Sequence, residues 1–474
     1  MYQWDKIKVI GNYDTVVVGG GTAGAAAGIR AAKEGNRVLI VEKSLALGGA
    51  AVNALVNPMM ESFVEHGEIF HEIERRLKEK GVTTRDGIME YVHSTAEAKA
   101  LVLEEMFLEY GGEILYDAVL TDCQVKDQKI EKIFVTTEEG VYAIEAEQFV
   151  DATGDAVLSR MAGVAYTAGD ENGNNQMTSL RFEMGGIDVE KYRAYCLSLN
   201  DEFSPLVKGY FFESAMVRNK NFKLEPVFRK GVELGYLKEE DLVYYQCFSI
   251  PDQPGCMTFN CPHISSMKKN TDVWARSRAV TEGHQMIFRL VSFLKACMPG
   301  FEHAYLIREA SALGVRESYR IVGKYVLSED DYIKRARFED AVAKGDWYID
   351  VHSATKGLVH MEKYQRGEYY EIPYRCLINE QVDNLLTIGR CISTTFLAQA
   401  SIRLQPTVID MGDAAGKAML DNYSSESNAG HKITLELILP LGADLYDLAG
   451  ELVADDRRIF GDVVRDSLVV GTLV

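Results

Sequence analysis

Three glycines near the start of the chain have the spacing of a dinucleotide-binding turn. Gly19, Gly21 and Gly24 fall in the G-x-G-x-x-G register, directly after a β-branched run at 14–18. In such turns the first glycine allows a tight turn off a strand, the second lets the backbone approach a pyrophosphate, and the third lets the helix pack close to the sheet. The N–H groups and the dipole at the helix N-terminus attract phosphate. The pattern therefore predicts a dinucleotide site.

The next residues supply the other elements that such a site needs. Small residues at 25–28 keep the helix slim, and 37–41 is predicted to be a second strand. Glu42 ends that strand where an acid would bind ribose hydroxyls, and we group the adjacent Lys43 with the cofactor-binding residues. An acid here favours the unphosphorylated ribose of FAD or NAD over NADP. The alternative, an ordinary strand–turn–helix without ligand, leaves the terminal acid unexplained.

Composition excludes several classes of partner. The chain has 474 residues, with 70 acidic against 51 basic side chains and a net charge of −19. This balance argues against nonspecific binding to nucleic acid or to an anionic membrane. The sequence contains no run of eighteen apolar residues, and its first residues lack the apolar core of a signal peptide. We therefore expect a cytoplasmic protein with no nucleic-acid or membrane partner.

The cysteines do not form a metal or redox motif. Eight are scattered along the chain without a C-x-x-C pair, so neither an iron–sulfur cluster nor a dithiol site is indicated. Cys256, Cys261 and His263 could be imagined as metal ligands, but no second ligand pair stands at zinc-site spacing. We expect no metal, and free thiols in a reducing compartment.

Periodicity and turn residues predict an alternation of helices and strands. Helices are predicted at 68–80, 95–110, 272–295, 305–312 and 407–420. Strands are predicted at 113–123, 129–137 and 140–146, as an antiparallel meander, and at 148–152 and 385–388. Because the buried-strand pattern returns only after the long middle block, the dinucleotide domain is predicted to be discontinuous.

Three segments resemble one family. They are GGGTAGAAAGIRAAKEGNRVLIVEKSLALGG, FVDATGDAVLSRMAGV and NLLTIGRCISTTFLAQASIRLQPTVIDMGDAAGKAM. Together they resemble the FAD-dependent oxidoreductases related to succinate dehydrogenase and fumarate reductase flavoproteins, over residues 13–425. The resemblance implies an α/β fold: a discontinuous Rossmann-like FAD-binding domain, 1–160 and 372–425, with an inserted α+β substrate (cap) domain, 161–371. Residues 426–474 are then a C-terminal extension of unknown role.

The resemblance also implies how the N-terminal segment would hold FAD. Gly19, Gly21 and Gly24 would hold the pyrophosphate, and Glu42 would bind the adenosine ribose. The double glycine at 48–49, Gly48 and Gly49, would pass beside the ribityl and isoalloxazine. In the succinate dehydrogenase branch a histidine in the following segment binds FAD covalently, but 44–57 contains neither histidine nor cysteine. Noncovalent FAD is expected.

Later segments would complete the cofactor site. Val119, in the middle strand of the meander, would contact adenine, and Thr153 with Gly154 would close over the dinucleotide. Gly389 and Arg390 would return to the pyrophosphate or ribityl side. The helix beginning near Pro406, with Thr407 in its first turn, would point its amides at the flavin pyrimidine edge, where negative charge collects on reduction.

The candidate catalytic residues come from the middle block and from the start of the last helix. Arg316, Glu317 and Tyr319 belong to its densest polar cluster, which in the family lies where the cap meets the flavin. Arg403 has the planar fork that suits a substrate carboxylate. His263 could transfer a proton near neutral pH. The alternatives are a structural ion pair between Arg316 and Glu317, and a structural role for His263.

These expectations favour an FAD-dependent oxidoreductase that acts on a small organic substrate by hydride transfer to or from flavin N5. Its electron donor or acceptor, the direction of reaction and a homo-oligomeric state stay open. The alternatives are a flavin-binding protein with a non-redox or RNA-modification-assisting role, and a nicotinamide enzyme. The net charge weighs against RNA, and a second G-x-G-x-x-G for NAD(P)H is missing.

Overall fold

The computed structural model describes residues 6–80, 83–84, 92–201, 212–353, 357–360 and 364–421 as a mixed α/β protein. The predicted extension 426–474 lies outside the described residues. The strands are β1 Val9–Val18, β2 Val38–Val41, β3 Thr83–Thr84, β4 His93–Ser94, β5 Glu113–Leu115, β6 Val119–Lys126, β7 Lys129–Thr137, β8 Gly140–Asp151, β9 Tyr166–Ala168, β10 Thr178–Ser179, β11 Phe182–Gly185, β12 Glu213–Val217, β13 Tyr244–Ser249, β14 Met257–Phe259, β15 His263–Ile264, β16 Tyr305–Glu309, β17 Tyr319–Ile321, β18 Ala341–Gly345, β19 Asp350–Ser353, β20 Gly357–His360, β21 Tyr370–Pro373 and β22 Leu385–Thr387.

The helices confirm most of the periodicity-based predictions. They are α1 Thr22–Lys33, α2 Ala50–Asn53, α3 Glu68–Glu79, α4 Ala96–Glu109, α5 Val157–Met161, α6 Val189–Ser198, α7 Glu225–Glu233, α8 Val273–Cys297, α9 Glu329–Lys334, α10 Phe396–Ile402 and α11 Gln405–Asp421. Short 3-10 helices cover Glu239–Leu242, Tyr374–Cys376 and Gly389–Cys391. Within the described residues, no helix combines the length and the apolarity needed to cross a bilayer.

The main sheet carries the glycine turn. Its order is β5-β2-β1-β8-β7-β6, with β22 also paired to β8. β5, β2, β1, β8 and β22 run parallel, while β6 and β7 complete the sheet with antiparallel pairs. The end of β1 is buried on both faces, which explains its continuous run of valines. Because β22 joins β8 after more than two hundred intervening residues, the sheet itself is discontinuous in sequence.

Three details of the predicted meander are wrong. The predicted strand 113–123 is two strands, because Asp117 adopts a positive φ of 51° that ends β5 before β6 begins. The predicted strands 140–146 and 148–152 are one strand, β8, whose two halves serve different neighbours. Val119 opens the edge strand β6 and does not lie in the middle strand, which is β7.

A second, antiparallel sheet has its own core. Its order is β12-β13-β14-β11-β16, and residues of α8 such as Ile287 and Phe293 are buried in the same apolar cluster as its strands. The predicted helix 305–312 is wrong, since Tyr305–Glu309 is the edge strand β16. Its hydrogen bonds to β11 decide the conformation, because an apolar run this short does not distinguish helix from strand.

Helices α1 and α11 approach unusually closely behind the parallel sheet. A Cβ at Gly412 would overlap the carbonyl oxygen of Ala23, and one at Gly416 would overlap that of Ala27. Small residues on both helices therefore set the distance at which α11 lies beside the glycine turn.

Candidate functional site

The three glycines of the turn have different surroundings. Gly19 has a φ of 96°, and a Cβ there would lie 2.7 Å from the Ala152 oxygen. A Cβ on Gly24 would overlap the carbonyl oxygen of Gly19. At Gly21, in contrast, the nearest atoms to a Cβ would be the Ala152 oxygen and the Gly49 Cα, both 3.9 Å away. Two glycines are thus required by protein contacts, whereas at Gly21 a Cβ would make only ordinary van der Waals contacts, so no described protein contact requires a glycine there.

Two further segments line the turn. Gly48 donates its N–H to the Gly20 oxygen over 2.8 Å and bridges Gly21, so the double-glycine loop lies directly against the turn. The buried carboxylate of Glu42 accepts the Gly20 N–H over 2.7 Å and the Ser44 N–H and hydroxyl over 2.8 Å each. Each carboxylate oxygen offers two acceptor sites, so Glu42 organises the turn and keeps capacity for a ribose hydroxyl.

The end of β8 is held by side-chain hydrogen bonds. The Thr153 hydroxyl donates to Asp151 Oδ1 over 2.7 Å and accepts the Val157 N–H over 2.9 Å, so its side chain is used within the protein. Gly154 has a φ of 73°, and the Arg390 guanidinium lies about 3.1 to 3.2 Å from where its Cβ would be. Arg390 also pairs with Asp155 over 2.8 Å.

Arg390 and its partners carry a strong local field. Burial raises the pKa of Asp155, but Arg390, the Ser318 hydroxyl and Arg276 outweigh it and hold that pKa below its usual range. Gly389 adopts a φ of 82° at the start of a 3-10 turn, and a Cβ there would lie 3.5 Å from that of Ala23 in α1. The segment 389–390 therefore lies beside α1 and the end of β8.

The N-terminus of α11 is fixed to the loop that follows α2. Gln405 donates to the carbonyl oxygens of Val56 and Pro58 over 2.8 and 2.9 Å. Lys99 Nζ donates to Gln405 Oε1 over 2.9 Å and to the Asn57 oxygen over 2.7 Å. Thr407, two residues further on, is buried. This end of α11 directs unpaired amides and a positive dipole out of the helix.

Arginines from three separate segments gather next to this loop. Arg181 donates to the Leu55 oxygen over 2.6 Å, and Arg316 donates to the Met177 oxygen over 2.9 Å. Arg403 pairs with Asp350 over 3.0 Å. Burial and the charges of Arg403 and Arg181 lower the pKa of Arg316 to about 9. Among the described residues Asp350 forms its ion pair with Arg403, while Arg316 and Arg181 have no carboxylate within ion-pair distance, so the cluster has an excess of positive charge.

Two histidines extend from that carboxylate in a hydrogen-bonded chain. His352 Nε2 lies 3.1 Å from Asp350 Oδ2, and His263 Nε2 lies 3.0 Å from His352 Nδ1. Burial lowers the pKa of His352 to about 4 and that of His263 well below its usual value, so both rings are neutral at pH 7. The geometry then assigns the protons: each Nε2–H donates, and His263 Nδ1 keeps a lone pair without a partner. The Tyr244 ring packs against His263 in a tilted arrangement, with the ring centroids 4.3 Å apart.

The structure does not join the other predicted residues to this cluster. Tyr319 packs its ring against Tyr166 at 5.2 Å, with the Arg160 guanidinium 3.7 Å from its centroid. Glu317 pairs with Arg320, so the alternative of a structural pair between Arg316 and Glu317 is wrong.

Two predicted cofactor residues lie at the surface. Val119 is 51% exposed at the start of edge strand β6, and Lys43 is exposed next to Glu42. Among the described residues, no group of three or more His, Cys, Asp or Glu side chains is arranged to hold a metal ion.

Sequence reasoning missed Lys99, Arg181, Asp350, His352 and Gln405. One of them had a signal: Lys99 falls on the apolar stripe of its helix, in register with Ala96, Leu103 and Met106, where a lysine is out of place. The others had none, because a lone charged residue in an irregular segment is ordinarily exposed.

Comparisons with known proteins give one family and several partial relatives. A family model described as FAD dependent oxidoreductase matches residues 14–436. Dihydrolipoamide dehydrogenase of Chaetomium thermophilum is 36% identical over 73 residues, 15% of this chain and 14% of that protein. Dihydrolipoyl dehydrogenase of Manduca sexta is 27% identical over 150 residues, 30% of this chain and 29% of that protein. The chain thus spans less than a third of these curated relatives.

Solved structures are similar over most of the chain at low identity. A geranylgeranyl bacteriochlorophyll reductase-like protein from Thermoplasma acidophilum is 12% identical with a TM-score of 0.45, covering 87% of this chain and 79% of that one. A flavin-dependent brominase is 13% identical with a TM-score of 0.43, covering 86% and 78%.

Proposed function

The chain belongs to the FAD dependent oxidoreductase family, and from that premise we propose that it transfers a hydride between flavin N5 and a small organic substrate bearing an anionic group. Its cofactor is FAD, held noncovalently. The residues fit this cofactor: no described protein contact requires a glycine at Gly21, Glu42 keeps acceptor capacity, and the N-terminus of α11 is held against the loop at 56–58. FAD supplies the two-electron chemistry when bound, and the protein supplies binding, orientation and charge.

The excess of positive charge in the arginine cluster is the observation that supports an anionic substrate. Among the described residues Arg316 and Arg181 have no carboxylate within ion-pair distance, and Asp350 is matched with Arg403. Burying unmatched guanidinium groups is unfavourable unless an anion joins them. Arg316 and Arg403 are the partly exposed members of the cluster, and Arg403 is already paired with Asp350, so we assign the substrate anion to the planar fork of Arg316.

We further propose that the histidine chain manages the proton that accompanies hydride transfer. His263 is 1% exposed and its free Nδ1 is enclosed, so His263 would act through its neighbours and not by touching substrate. A proton arriving on His352 would be stabilised by Asp350, and Arg403 fixes that carboxylate. Arg403 then orients the chain, and its remaining donors face the same cluster.

We also propose kinship with the succinate dehydrogenase branch, supported by the three sequence segments, and a catalytic role for the Tyr319 hydroxyl. We further propose a separate electron donor or acceptor, a homo-oligomeric state, and domain boundaries at residues 160, 371 and 425. The eight free cysteines support a reducing, cytoplasmic compartment. The family match does not favour the RNA-related alternative.

A substrate screen on the holoenzyme tests the proposal. Under anaerobic conditions, small carboxylates and their neutral amides or esters are compared for bleaching of the oxidised flavin, or for reoxidation of the reduced flavin. We expect turnover with anionic compounds only. Arg316→Gln should keep FAD and raise KM for the anion by tenfold or more, from the loss of about 1.5–3 kcal/mol. Arg278→Gln, on the exposed face of α8, is the control. Equal activity with neutral analogues would refute the anionic assignment.

A further inference from the structure

A buried lysine of α4 lies at the N-terminal end of α11 and belongs to no ion pair in the described structure. Lys99 is 2% exposed, and its two hydrogen-bond acceptors are the Asn57 carbonyl oxygen and the Gln405 amide oxygen, both neutral. A neutral amine has two N–H donors, so these acceptors satisfy it completely and leave its lone pair free. The surroundings thus suit an uncharged lysine.

The groups packed around Lys99 give it no counter-charge. His93 on β4 lies near both Lys99 and Arg181, and burial lowers the pKa of His93 to about 3, so its ring is neutral at pH 7. Glu183 reaches the loop only through Asn57, and Glu97 on α4 is paired with Arg308. The nearest acids on α11, Asp410 and Asp413, bind His66 and Arg30. Burial lowers the pKa of Lys99 to about 7.

We propose that Lys99 is a positioning residue that ties the loop at 56–58 to the first turn of α11 and takes up a proton when negative charge appears at that helix end. This rests on the proposed function, because the charge would come from reduction of the flavin whose pyrimidine edge α11 is expected to face. The proton comes from solvent and forms a fourth bond to Nζ, with no other bond changed. Lys99 would thus be neutral beside the oxidised flavin and positively charged beside the reduced flavin.

The two-electron midpoint potential of the holoenzyme, measured without substrate between pH 6 and 9, tests this. Above pH 7 the wild type should take up one more proton per two electrons than Lys99→Met. For each pH unit, the midpoint potential of the wild type should therefore fall by about 30 mV more than that of Lys99→Met, which corresponds to a tenfold change in the equilibrium constant of reduction. Lys78→Met, on the exposed face of α3, should match the wild type. Equal slopes in the wild type and Lys99→Met would overturn the proposal.

Unfolding of the apoprotein gives a second readout that needs no flavin. The folded pKa of Lys99 lies below its unfolded value near 10.4, so the unfolded chain binds more protons between them and stability rises with pH. The unfolding constant of the wild type, relative to Lys99→Met, should fall by up to tenfold per pH unit above about 7. A flat ratio would mean that the lysine is charged when buried and would also overturn the proposal. Lys99→Gln serves if the methionine variant does not fold. Both readouts omit substrate, so they can fail independently of the anionic-substrate proposal.

Discussion

Replacing each of two glycines of the turn by alanine should separate the demands of the fold from those of the cofactor. Gly24→Ala should destabilise the apoprotein, because its methyl group would overlap the backbone oxygen of Gly19 and approach the Ala152 Cβ to 2.8 Å. Overpacking of this kind costs about 1–3 kcal/mol, with rigid backbone at the upper end. Alanine regains about 1 kcal/mol of helix propensity. The net loss should be about 2 kcal/mol.

Gly21→Ala should leave the apoprotein nearly unchanged. Its φ of −63° and ψ of −178° suit alanine, and no atom lies within 3.9 Å of the new methyl group. Alanine lowers the conformational entropy of the unfolded chain, and the resulting stabilisation of about 0.4–1 kcal/mol is partly offset by the preference for glycine at a helix N-cap. FAD affinity should nevertheless fall at least tenfold, about 1.4 kcal/mol, because the methyl group occupies the path of the pyrophosphate.

Two measurements on each variant decide the matter. Urea denaturation of the apoprotein reports the fold, and titration with FAD, followed by quenching of flavin fluorescence, reports the site. If Gly21→Ala binds FAD as the wild type does, the pyrophosphate does not lie against Gly21. If apo Gly24→Ala is as stable as the wild type, the helix can move away from the turn and the close contact is not a constraint.

Three other substitutions test neighbouring parts of the site. Glu42→Gln should weaken FAD binding and also lower the apoprotein's melting temperature, because the carboxylate already accepts hydrogen bonds from Gly20 and Ser44, and each charged bond contributes about 1.5–3 kcal/mol. Asp155 has a lowered folded pKa, so its stabilisation is present above pH 4 and lost as the pH falls; urea midpoints of Asp155→Asn should therefore depend less on pH between 4 and 2 than those of the wild type. Tyr319→Phe keeps the ring contacts, so FAD content and stability should be unchanged, and normal turnover would remove its hydroxyl from the chemistry.

The sequence by itself determined the cofactor turn and the elements around it. The G-x-G-x-x-G register and the helical periods at α3, α4 and α8 depend on residues within one or two turns of each other, and the structure has helices at these places. The same local reasoning failed at Tyr305–Glu309, where hydrogen bonds to β11 decide between strand and helix.

Only the tertiary structure decided which charged residues form a site. The cluster draws on segments more than two hundred residues apart, which supply Arg181, Arg316, Arg403 and Asp350. In the sequence, each of these residues is indistinguishable from an ordinary charged surface residue. The helical period of α4 indicated that Lys99 is buried. No sequence pattern indicated its two acceptors, which lie on a distant loop and on α11. Burial and the identity of the partners set the charge of such a group, and both depend on contacts that no local pattern contains.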